Sequence, residues 1–575
     1  MSESKSLEYY VNSIQRLLHD NNFQEALVMI NNAINKFPSN PKLYINGGNI
    51  YKLFGDLDNA EKYFKIALNF YKSKEAFNNL SVIELEKYNF EQAIEYAKNA
   101  LDIDSGYIDA NYNLALSLER IGAYDEASTY AKKSCLLSNN ELKCVVLLFR
   151  ISQNICDWME INKIEDVLNQ AVGNGIEHPF LNISRVDDEE INYKVAKSWA
   201  ETNSFNKING NHKIISKKNG KLKIGYICGE LRNHPTYFLI NGLFKNHNKN
   251  LFETFIFTYN HDESFSKNIK YDIDHFIDVT EISDEIAIKT INDLDLDILI
   301  DLSILISGNR QRIVSARPAK KIISYLGFPG TSGYSFYDYI ITDNIVTPES
   351  HQKYYTEKFL YLPRYQVNDG RGMIETNSIK KSDVNLPEKS IVLSCFNQSF
   401  KLDSMMFSCW IKILNHIPNS CLWLLEDNEF AKKNIIDYSE SNGLDKNKII
   451  FAPRISRDMH MERLKLSDIS LDTRIYNGHT TTTDSLQSSI PVVTLEGNHF
   501  ASRVSASLIK SYGLDDLIVQ SLDEYHQKVI KLCLDRDYMS SIRKKIKDKK
   551  NINRFFNVKE FTKHLEDQLI DIIKN

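Results

Sequence analysis

The chain of 575 residues is 42% apolar and 25% charged, the composition of an ordinary globular protein. This length exceeds what one hydrophobic core usually organises, so we expect three or four domains or lobes. A formal charge of −5, from 70 basic and 75 acidic residues, excludes a general attraction to nucleic acid, and no apolar run is long enough to span a bilayer.

The N-terminus and the cysteines predict a cytoplasmic protein. The opening residues, MSESKSLEYYVN, lack the charged-then-apolar pattern of a secretory signal. The eight cysteines form no CxxC pair or closely spaced set, which favours reduced thiols that lie mostly in the core.

Residues 1–140 contain a helical repeat, because small residues recur every 33 or 34 positions in three registers. The registers are Ala26, Ala60, Ala93 and Ala127, then Ala33, Ala67, Ala100 and Ser134, and finally Gly48, Ser81 and Ala115. Small residues at a fixed period mark paired helices that pack too closely for bulky side chains. The pattern predicts an α-solenoid and resembles the tetratricopeptide repeat family.

Three asparagines, Asn46, Asn79 and Asn113, precede the third register by two residues each. In the tetratricopeptide family this position faces the concave groove, where an amide can donate to and accept from the backbone of an extended peptide. We therefore expect these residues to bind an acceptor polypeptide. The alternative, that they are ordinary members of an Asn-rich chain, stays open.

Residues 141–215 lose the period and are predicted to form a helical connector. The run CDWMEINKIEDVLNQAV (156–172) keeps its apolar residues on one side of a helix. The polar segment NKINGNHKIISKKNGK (206–221) is rich in Gly, Asn and Lys, which predicts a linker.

Two α/β lobes are predicted next, over residues 216–380 and 381–575, the second with C-terminal helices. Short β-rich runs alternate with helical stretches, which is typical of doubly wound parallel sheets. The first lobe contains LKIGYIC (222–228), FETFIFTY (252–259), DILIDLS (297–303), KIISYLG (321–327) and YIITD (339–343). The second contains IVLSCFN (391–397), CLWLLE (421–426), IIFAP (449–453), ISLDT (469–473) and PVVTL (491–495).

Each candidate motif directly follows a predicted strand, where the loops of such sheets bind ligands. The motifs are GELRNHPT (229–236), GFPGTSG (327–333), FNQSFK (396–401), RISRDMHMER (454–463) and NGHTTTTDSL (477–486). No Walker loop or GxGxxG occurs at these positions, which argues against a nucleotide hydrolase or a dinucleotide oxidoreductase.

The segment NGHTTTTDSL predicts an anion pocket. A turn at Asn477-Gly478 that leads into a helix leaves the first backbone N–H groups free, and Thr480 to Thr483 add hydroxyl donors. Phosphate fits such a site at a helix N-terminus. Asp484 is misplaced for phosphate but could accept two ribose hydroxyls. A threonine-rich helix cap with no ligand is the alternative.

Taken in order, these motifs resemble the O-linked N-acetylglucosaminyltransferases of glycosyltransferase family 41, over residues 222–560. Further segments that carry the resemblance are PNSCLWLLE (418–426), LDTRIYNGHTT (471–481) and ASRVSAS (501–507). The resemblance, which favours the bacterial type, implies a two-lobed GT-B fold. It also implies inverting transfer of GlcNAc from UDP-GlcNAc to Ser or Thr of proteins, with no metal, the acceptor being presented by the repeats.

Site residues are assigned from the chemistry and by matching position. The departing diphosphate needs preorganised donors, which Lys401 and the start of the threonine helix would supply. His234, near the acceptor, and His275 resemble active-site histidines of the family; the general base stays open, as does a structural role for His275. The residues expected to contact the donor are Gln398, Lys401, Arg457, His460, His479, Thr480, Thr481 and Asp484.

Some residues depart from the family pattern. Phe328 stands where the family has tyrosine, and Arg457 stands where it has lysine. The run TTTTDSL lies between the GlcNAc-transferase pattern and the TTTT element of SPINDLY-type fucosyltransferases. Two alternatives therefore remain: a protein O-fucosyltransferase that uses GDP-fucose and a non-catalytic tetratricopeptide adaptor.

Overall fold

The computed structural model describes residues 6–20, 22–205, 220–368 and 379–574. The predicted linker therefore lies outside the described residues, apart from its last two positions. Within the described ranges, no helix is long and apolar enough to cross a membrane. The chain forms two compact units, one of residues 1–152 with 160–168 and the other of residues 153–159 with 169–575.

The first unit is a series of helix pairs joined by short turns, which confirms the predicted α-solenoid. The helices are α1 (Leu7–His19), α2 (Phe23–Lys36), α3 (Pro41–Leu53), α4 (Leu57–Phe70), α5 (Lys74–Glu86), α6 (Phe90–Ile103), α7 (Ile108–Arg120) and α8 (Tyr124–Leu137). Two further helices, α9 (Leu142–Asn154) and α10 (Trp158–Gln170), contribute to both units. Side-chain caps start several helices; Asp56, for example, accepts from the Asn59 backbone N–H before α4.

The three small-residue registers lie where the paired helices touch. Every member of the two Ala-rich registers is fully buried, and in the third Ser81 donates from its hydroxyl to the Ala93 carbonyl across one helix pair, at 2.8 Å. A Cβ atom at Gly48 would come within 2.7 Å of the Phe64 ring. Close backbone approach is thus the physical reason for the repeat.

The second unit contains two all-parallel sheets. The first sheet is built from β1 (Leu222–Cys228), β2 (Phe252–Thr258), β3 (His275–Asp278), β4 (Leu296–Asp301), β5 (Ala319–Ser324), β6 (Tyr339–Thr342) and β7 (Lys358–Tyr361). Its order is β3-β2-β1-β4-β5-β6-β7. The second sheet is built from β8 (Ile391–Cys395), β9 (Ser420–Leu425), β10 (Ile449–Ala452), β11 (Ile469–Leu471), β12 (Val492–Leu495) and β13 (Ile518–Val519), in the order β10-β9-β8-β11-β12-β13.

Helices cover both sheets of this unit. Before and around the first sheet lie α11 (Pro179–Arg185), α12 (Glu189–Thr202), α13 (Pro235–Phe244), α14 (Glu263–Asp272), α15 (Asp284–Asp293) and α16 (Gln311–Ser315). The second half adds α17 (Ser404–His416), α18 (Glu429–Ser441), α19 (Arg457–Leu464), α20 (Thr480–Gln487), α21 (Val504–Tyr512), α22 (Leu522–Leu534), α23 (Arg536–Ile546), α24 (Lys549–Phe555) and α25 (Val558–Lys574).

The ten predicted strands are confirmed, and three strands that were not predicted lie at sheet edges. Strands β3 and β7 close the two sides of the first sheet, and β13 closes one side of the second. An edge strand is covered on fewer sides, so it can do without the continuous apolar run that marks a central parallel strand, although β10, at the other edge of the second sheet, keeps one. The strand order reverses between β1 and β4 and again between β8 and β11, where such sheets bind ligands.

The last helix, α25, packs against α13 of the first lobe. Its Glu566 carboxylate accepts from the Asn248 backbone N–H at 2.7 Å and lies 3.0 Å from Nδ1 of His247. The other ring nitrogen of His247 lies 2.7 Å from the Tyr226 hydroxyl. This buried chain of polar groups ties the C-terminus to strand β1.

Replacing Ala93 by Leu should lower the free energy of unfolding of the repeat array by about 1–3 kcal/mol, since the added carbons have no space in the helix pair. Urea unfolding followed by far-UV circular dichroism measures the change. Val28→Leu, on an exposed position of α2, is the matched control and should change little. Equal stability of the two variants would contradict the packing argument.

Candidate active site

The centre of the site is the turn that leads from β11 into α20. The Asp472 carboxylate, directly after β11, accepts from the backbone N–H groups of Gly478 and Thr473, at 2.7 and 2.9 Å. A Cβ atom at residue 478 would collide with the Thr481 hydroxyl, so only glycine fits the turn. A helix was predicted to follow this turn, and α20 begins at Thr480 with its first N–H groups at the turn.

Lys401 lies beside this turn, at the end of a short 3₁₀ turn that follows β8. Its ammonium group donates to the Asn477 carbonyl at 2.9 Å and lies 4.0 Å from the centre of the Tyr476 ring. Burial lowers the pKa of Lys401 to about 8, partly offset by the charge of Asp472. The site therefore carries a partly desolvated cation next to a helix N-terminus.

The four threonines of α20 divide into two pairs. Thr480 and Thr481 are half-buried at the start of the helix, and Thr481 donates to the Asn397 side chain at 2.5 Å. Thr482 and Thr483 are buried and bond to side chains of neighbouring segments. The first pair can therefore face a ligand while the second pair anchors the helix. Gln398, next to Asn397, is exposed.

Helix α19 supplies Arg457 and His460. Both terminal guanidinium nitrogens of Arg457 donate to the Asp484 carboxylate, at 2.8 and 3.0 Å, and the guanidinium lies 4.7 Å from the Phe238 ring of the first lobe. His460 stands edge-on to Phe396, with 5.0 Å between ring centres. Burial and two nearby arginines lower the pKa of His460 to about 3, so the ring is neutral.

His479, the N-cap residue of α20, is also neutral. Its pKa is lowered well below the usual value by burial and by the charge of Lys401. Its Nε2 lies 3.4 Å from the Ala501 carbonyl, and its ring centre is 5.1 Å from that of Tyr476. Asp484, one turn further along, has its carboxyl pKa raised by burial, and Arg457 opposes this effect.

His234 and Glu230 belong to the loop between β1 and α13. His234 is the N-cap of α13, and its Nδ1 accepts from the Thr236 backbone N–H at 3.3 Å, which leaves the proton of the neutral ring on Nε2. Burial lowers the pKa of His234 to about 4. Glu230, which the sequence did not predict as a site residue, is buried 3.7 Å from His234 Nδ1 and 2.8 Å from the Arg232 guanidinium. Burial raises the pKa of its carboxyl, and Arg232 opposes this effect. The spacing of four residues within GELRNH was the available signal.

His275 is not brought to this group of residues. It begins the edge strand β3, where its ring stacks on Phe255 with 4.4 Å between centres and its Nε2 lies 2.8 Å from the Glu253 carboxylate. The three predicted acceptor asparagines lie in the first unit. Asn113 is buried and donates to Asn78, Asn79 accepts from Lys52, and Asn46 is half-buried.

The GFPGTSG motif is anchored inside the first lobe by hydrogen bonds to a buried carboxylate. The Ser332 backbone N–H and the Thr331 hydroxyl both donate to the buried Glu357 carboxylate, at 2.8 and 2.7 Å. Gly333 has a positive φ, and a side chain there would collide with the Ala196 carbonyl of α12. Phe328 is buried and packs near Phe180. A tyrosine hydroxyl at this position would therefore be buried away from solvent. Among the described side chains, no group of three His, Cys, Asp or Glu is placed to hold a metal ion.

Two parallel α/β lobes with helical repeats ahead of them define a fold of the GT-B class. Residues 201–384 and 374–565 match the family described as Glycosyl transferase family 41. Because these segments span more than half of the sequence, the chain belongs to glycosyl transferase family 41.

Curated relatives carry matching names. A probable UDP-N-acetylglucosamine--peptide N-acetylglucosaminyltransferase, SEC of Arabidopsis thaliana, is 35% identical over 60% of this chain and 36% of its own length. The UDP-N-acetylglucosamine--peptide N-acetylglucosaminyltransferase of Caenorhabditis elegans is 25% identical over 72% of this chain and 48% of its own length. The chain thus spans less than half the length of these two relatives.

A solved structure agrees on the fold. A mutant O-GlcNAc transferase of Thermobaculum terrenum superposes with a TM-score of 0.65, over 93% of this chain and 98% of that one. The two sequences are 20% identical, so this likeness concerns the fold alone.

Gly478→Ala should destabilise the second unit by about 1–3 kcal/mol, because the new methyl group meets the Thr481 hydroxyl. The midpoint of urea unfolding, followed by tryptophan fluorescence, measures the loss. Lys510→Ala, on an exposed position of α21 in the same unit, is the control and should change little. A Gly478→Ala variant with the wild-type urea midpoint would show that the turn does not need glycine.

Proposed function

We propose that the protein transfers N-acetylglucosamine from UDP-N-acetylglucosamine to serine or threonine hydroxyls of protein acceptors, with inversion and without a metal. Family membership and the names of the relatives support the reaction class. The observation that carries the proposal is the ammonium of Lys401 held 2.9 Å from the Asn477 carbonyl, at the turn that opens α20.

On the donor side, the bond between the sugar C1 and the β-phosphate oxygen breaks, and negative charge grows on the diphosphate. The Thr481 hydroxyl donates to Asn397 and would reach the diphosphate only by exchanging that bond. Lys401, the Thr480 hydroxyl and the first N–H groups of α20 would meet this charge. These donors are already in place, so little reorganisation is needed during the reaction. Gln398, exposed on the adjoining loop, is proposed to contact the diphosphate and the sugar.

The nucleoside would lie between α19 and α20. The neutral His460 ring offers a face to the uracil, and His479 offers a neutral ring near the sugar. Asp484 is proposed to accept ribose hydroxyls. Both Asp484 oxygens accept from Arg457. Ribose hydroxyls that bind Asp484 would therefore share these oxygens with Arg457 or displace its guanidinium.

On the acceptor side, His234 and Glu230 are proposed to flank the attacking hydroxyl. The neutral His234 ring presents an N–H at Nε2 and would orient the acceptor as a donor. Glu230, whose pKa is raised by burial, would take the hydroxyl proton, directly or through water, as the oxygen attacks C1. For His275 we propose a structural role on the edge strand, against Phe255 and Glu253.

The repeat array is proposed to recruit the acceptor polypeptide through Asn46, Asn79 and Asn113. Each amide retains hydrogen-bonding capacity beyond the bonds described above, since an asparagine side chain offers two donors and an acceptor with two lone pairs. An extended peptide could therefore add backbone bonds along the array.

Lys401→Ala should reduce transfer by about 10²–10³-fold, the loss seen when a donor to a developing oxyanion is deleted. Initial rates of UDP release at saturating donor measure it, and the melting temperature checks the fold. Lys412→Ala, on an exposed position of α17, is the matched control. A Lys401→Ala enzyme with a near wild-type rate would remove Lys401 from the mechanism.

A panel of nucleotide sugars tests the donor. We expect UDP-N-acetylglucosamine to be used at least about ten times faster than GDP-fucose, with an N-acetylhexosamine added to a co-expressed acceptor in intact-mass spectra. Lys401→Ala is the negative control. A deoxyhexose increment in the mass spectra would favour the fucosyltransferase, the alternative that the TTTT run indicates. No release of nucleotide from any donor would favour a non-catalytic adaptor.

A further inference from the structure

The Asp472 carboxylate is buried beneath the proposed diphosphate pocket and makes an unusually complete set of hydrogen bonds. Its Oδ1 accepts from the backbone N–H groups of Gly478 and Thr473, and from the Asn397 side chain at 3.4 Å. Its Oδ2 accepts from the Thr494 hydroxyl at 2.6 Å. Burial raises the pKa of Asp472, and these partners oppose the shift because every one of them donates and so favours the carboxylate.

Three elements of the pocket depend on this carboxylate. The Gly478 N–H belongs to the turn that opens α20, and the preceding carbonyl, of Asn477, accepts from Lys401. The Asn397 side chain accepts from the Thr481 hydroxyl. Asp472 therefore contacts the turn directly and is linked to Thr481 through the Asn397 side chain.

We propose that Asp472 is the positioning residue of the donor pocket and the counter-ion that keeps Lys401 protonated at neutral pH. The role of Asp472 in catalysis rests on the proposed function. Its effect on the charge of Lys401 concerns the protein without substrate and can be tested alone.

The groups that act on Lys401 support this role. Burial raises the pKa of the Cys395 thiol, on β8, to about 12, and burial also raises the pKa of Tyr476, so both are neutral. His479, on α20, is neutral because its pKa is well below the usual value. Of the groups that act on Lys401 in the described part of the chain, Asp472 thus supplies the negative charge.

The direction of the pH effect follows from these groups. Burial favours the neutral amine of Lys401, and the charge of Asp472 opposes it, which leaves the pKa of Lys401 at about 8. Lys401 is protonated below that pH and loses its charge above it. Without Asp472 the loss should occur at a lower pH, within the neutral range.

The Asp472→Asn substitution removes the negative charge of the side chain and keeps its shape. The amide oxygen can keep the bonds from Gly478, Thr473 and Asn397, while the new NH₂ group can donate to the Thr494 hydroxyl, which also accepts. Thr494→Val is the complementary variant, since it removes the hydrogen bond to Oδ2 and keeps the charge. Asp468→Asn, at the start of β11, removes a carboxylate that bonds to Arg543 and Val392, and serves as the distant charge control.

The first readout is the acetylation rate of Lys401 by acetic anhydride across pH, followed by peptide mass spectrometry. Only the unprotonated amine reacts, so the midpoint reports its pKa without any activity. We expect a midpoint of about 8 in the wild type. It should fall by at least about one pH unit in Asp472→Asn, the scale of a single nearby charge, and stay in place in Thr494→Val and Asp468→Asn.

The second readout is the alkaline limb of kcat/KM for donor cleavage, which should move by the same amount. An unchanged acetylation midpoint in Asp472→Asn would overturn the proposal, even if activity falls. A shifted midpoint in a protein that cleaves no nucleotide sugar would sustain the counter-ion role and reject the proposed function. Asp472→Ser is the second uncharged variant if Asp472→Asn does not fold.

Discussion

A positive site must be kept intact in a partly buried pocket before any anion arrives, and this constraint organises the second lobe. The N-terminus of α20 and the ammonium of Lys401 repel each other, and each loses hydration through burial. The fold offsets both effects with the Asn477 carbonyl, the face of Tyr476 and the carboxylate of Asp472. The proposed role in catalysis is that a pocket stabilised in this way binds the diphosphate without rearranging.

The two lobes are joined by contacts close to this pocket. Arg457 of the second lobe lies over Phe238 of the first, and Thr483 of α20 bonds to Gln366 in the segment that crosses between the lobes. Helix α25 then returns to the first lobe through Glu566.

The repeat array follows a different physical rule. Its helices pack by backbone proximity, so small residues are required at fixed spacing and stability accumulates from one neighbour to the next. Asn79 and Asn113 already bond to Lys52 and Asn78, so an acceptor would have to use their remaining donors and acceptors.

The amino-acid sequence by itself determined the repeat, ten of the strands and the loops that follow them, because these depend on local periodicity and apolar runs. It also indicated the turn before α20 and Lys401 as the anion site. Only the tertiary structure decided that Asp484 pairs with Arg457, that edge strands complete the sheets and that α25 returns to the first lobe. These features arise from contacts between distant segments, or from strands whose burial depends on their neighbours, and no local pattern specifies them.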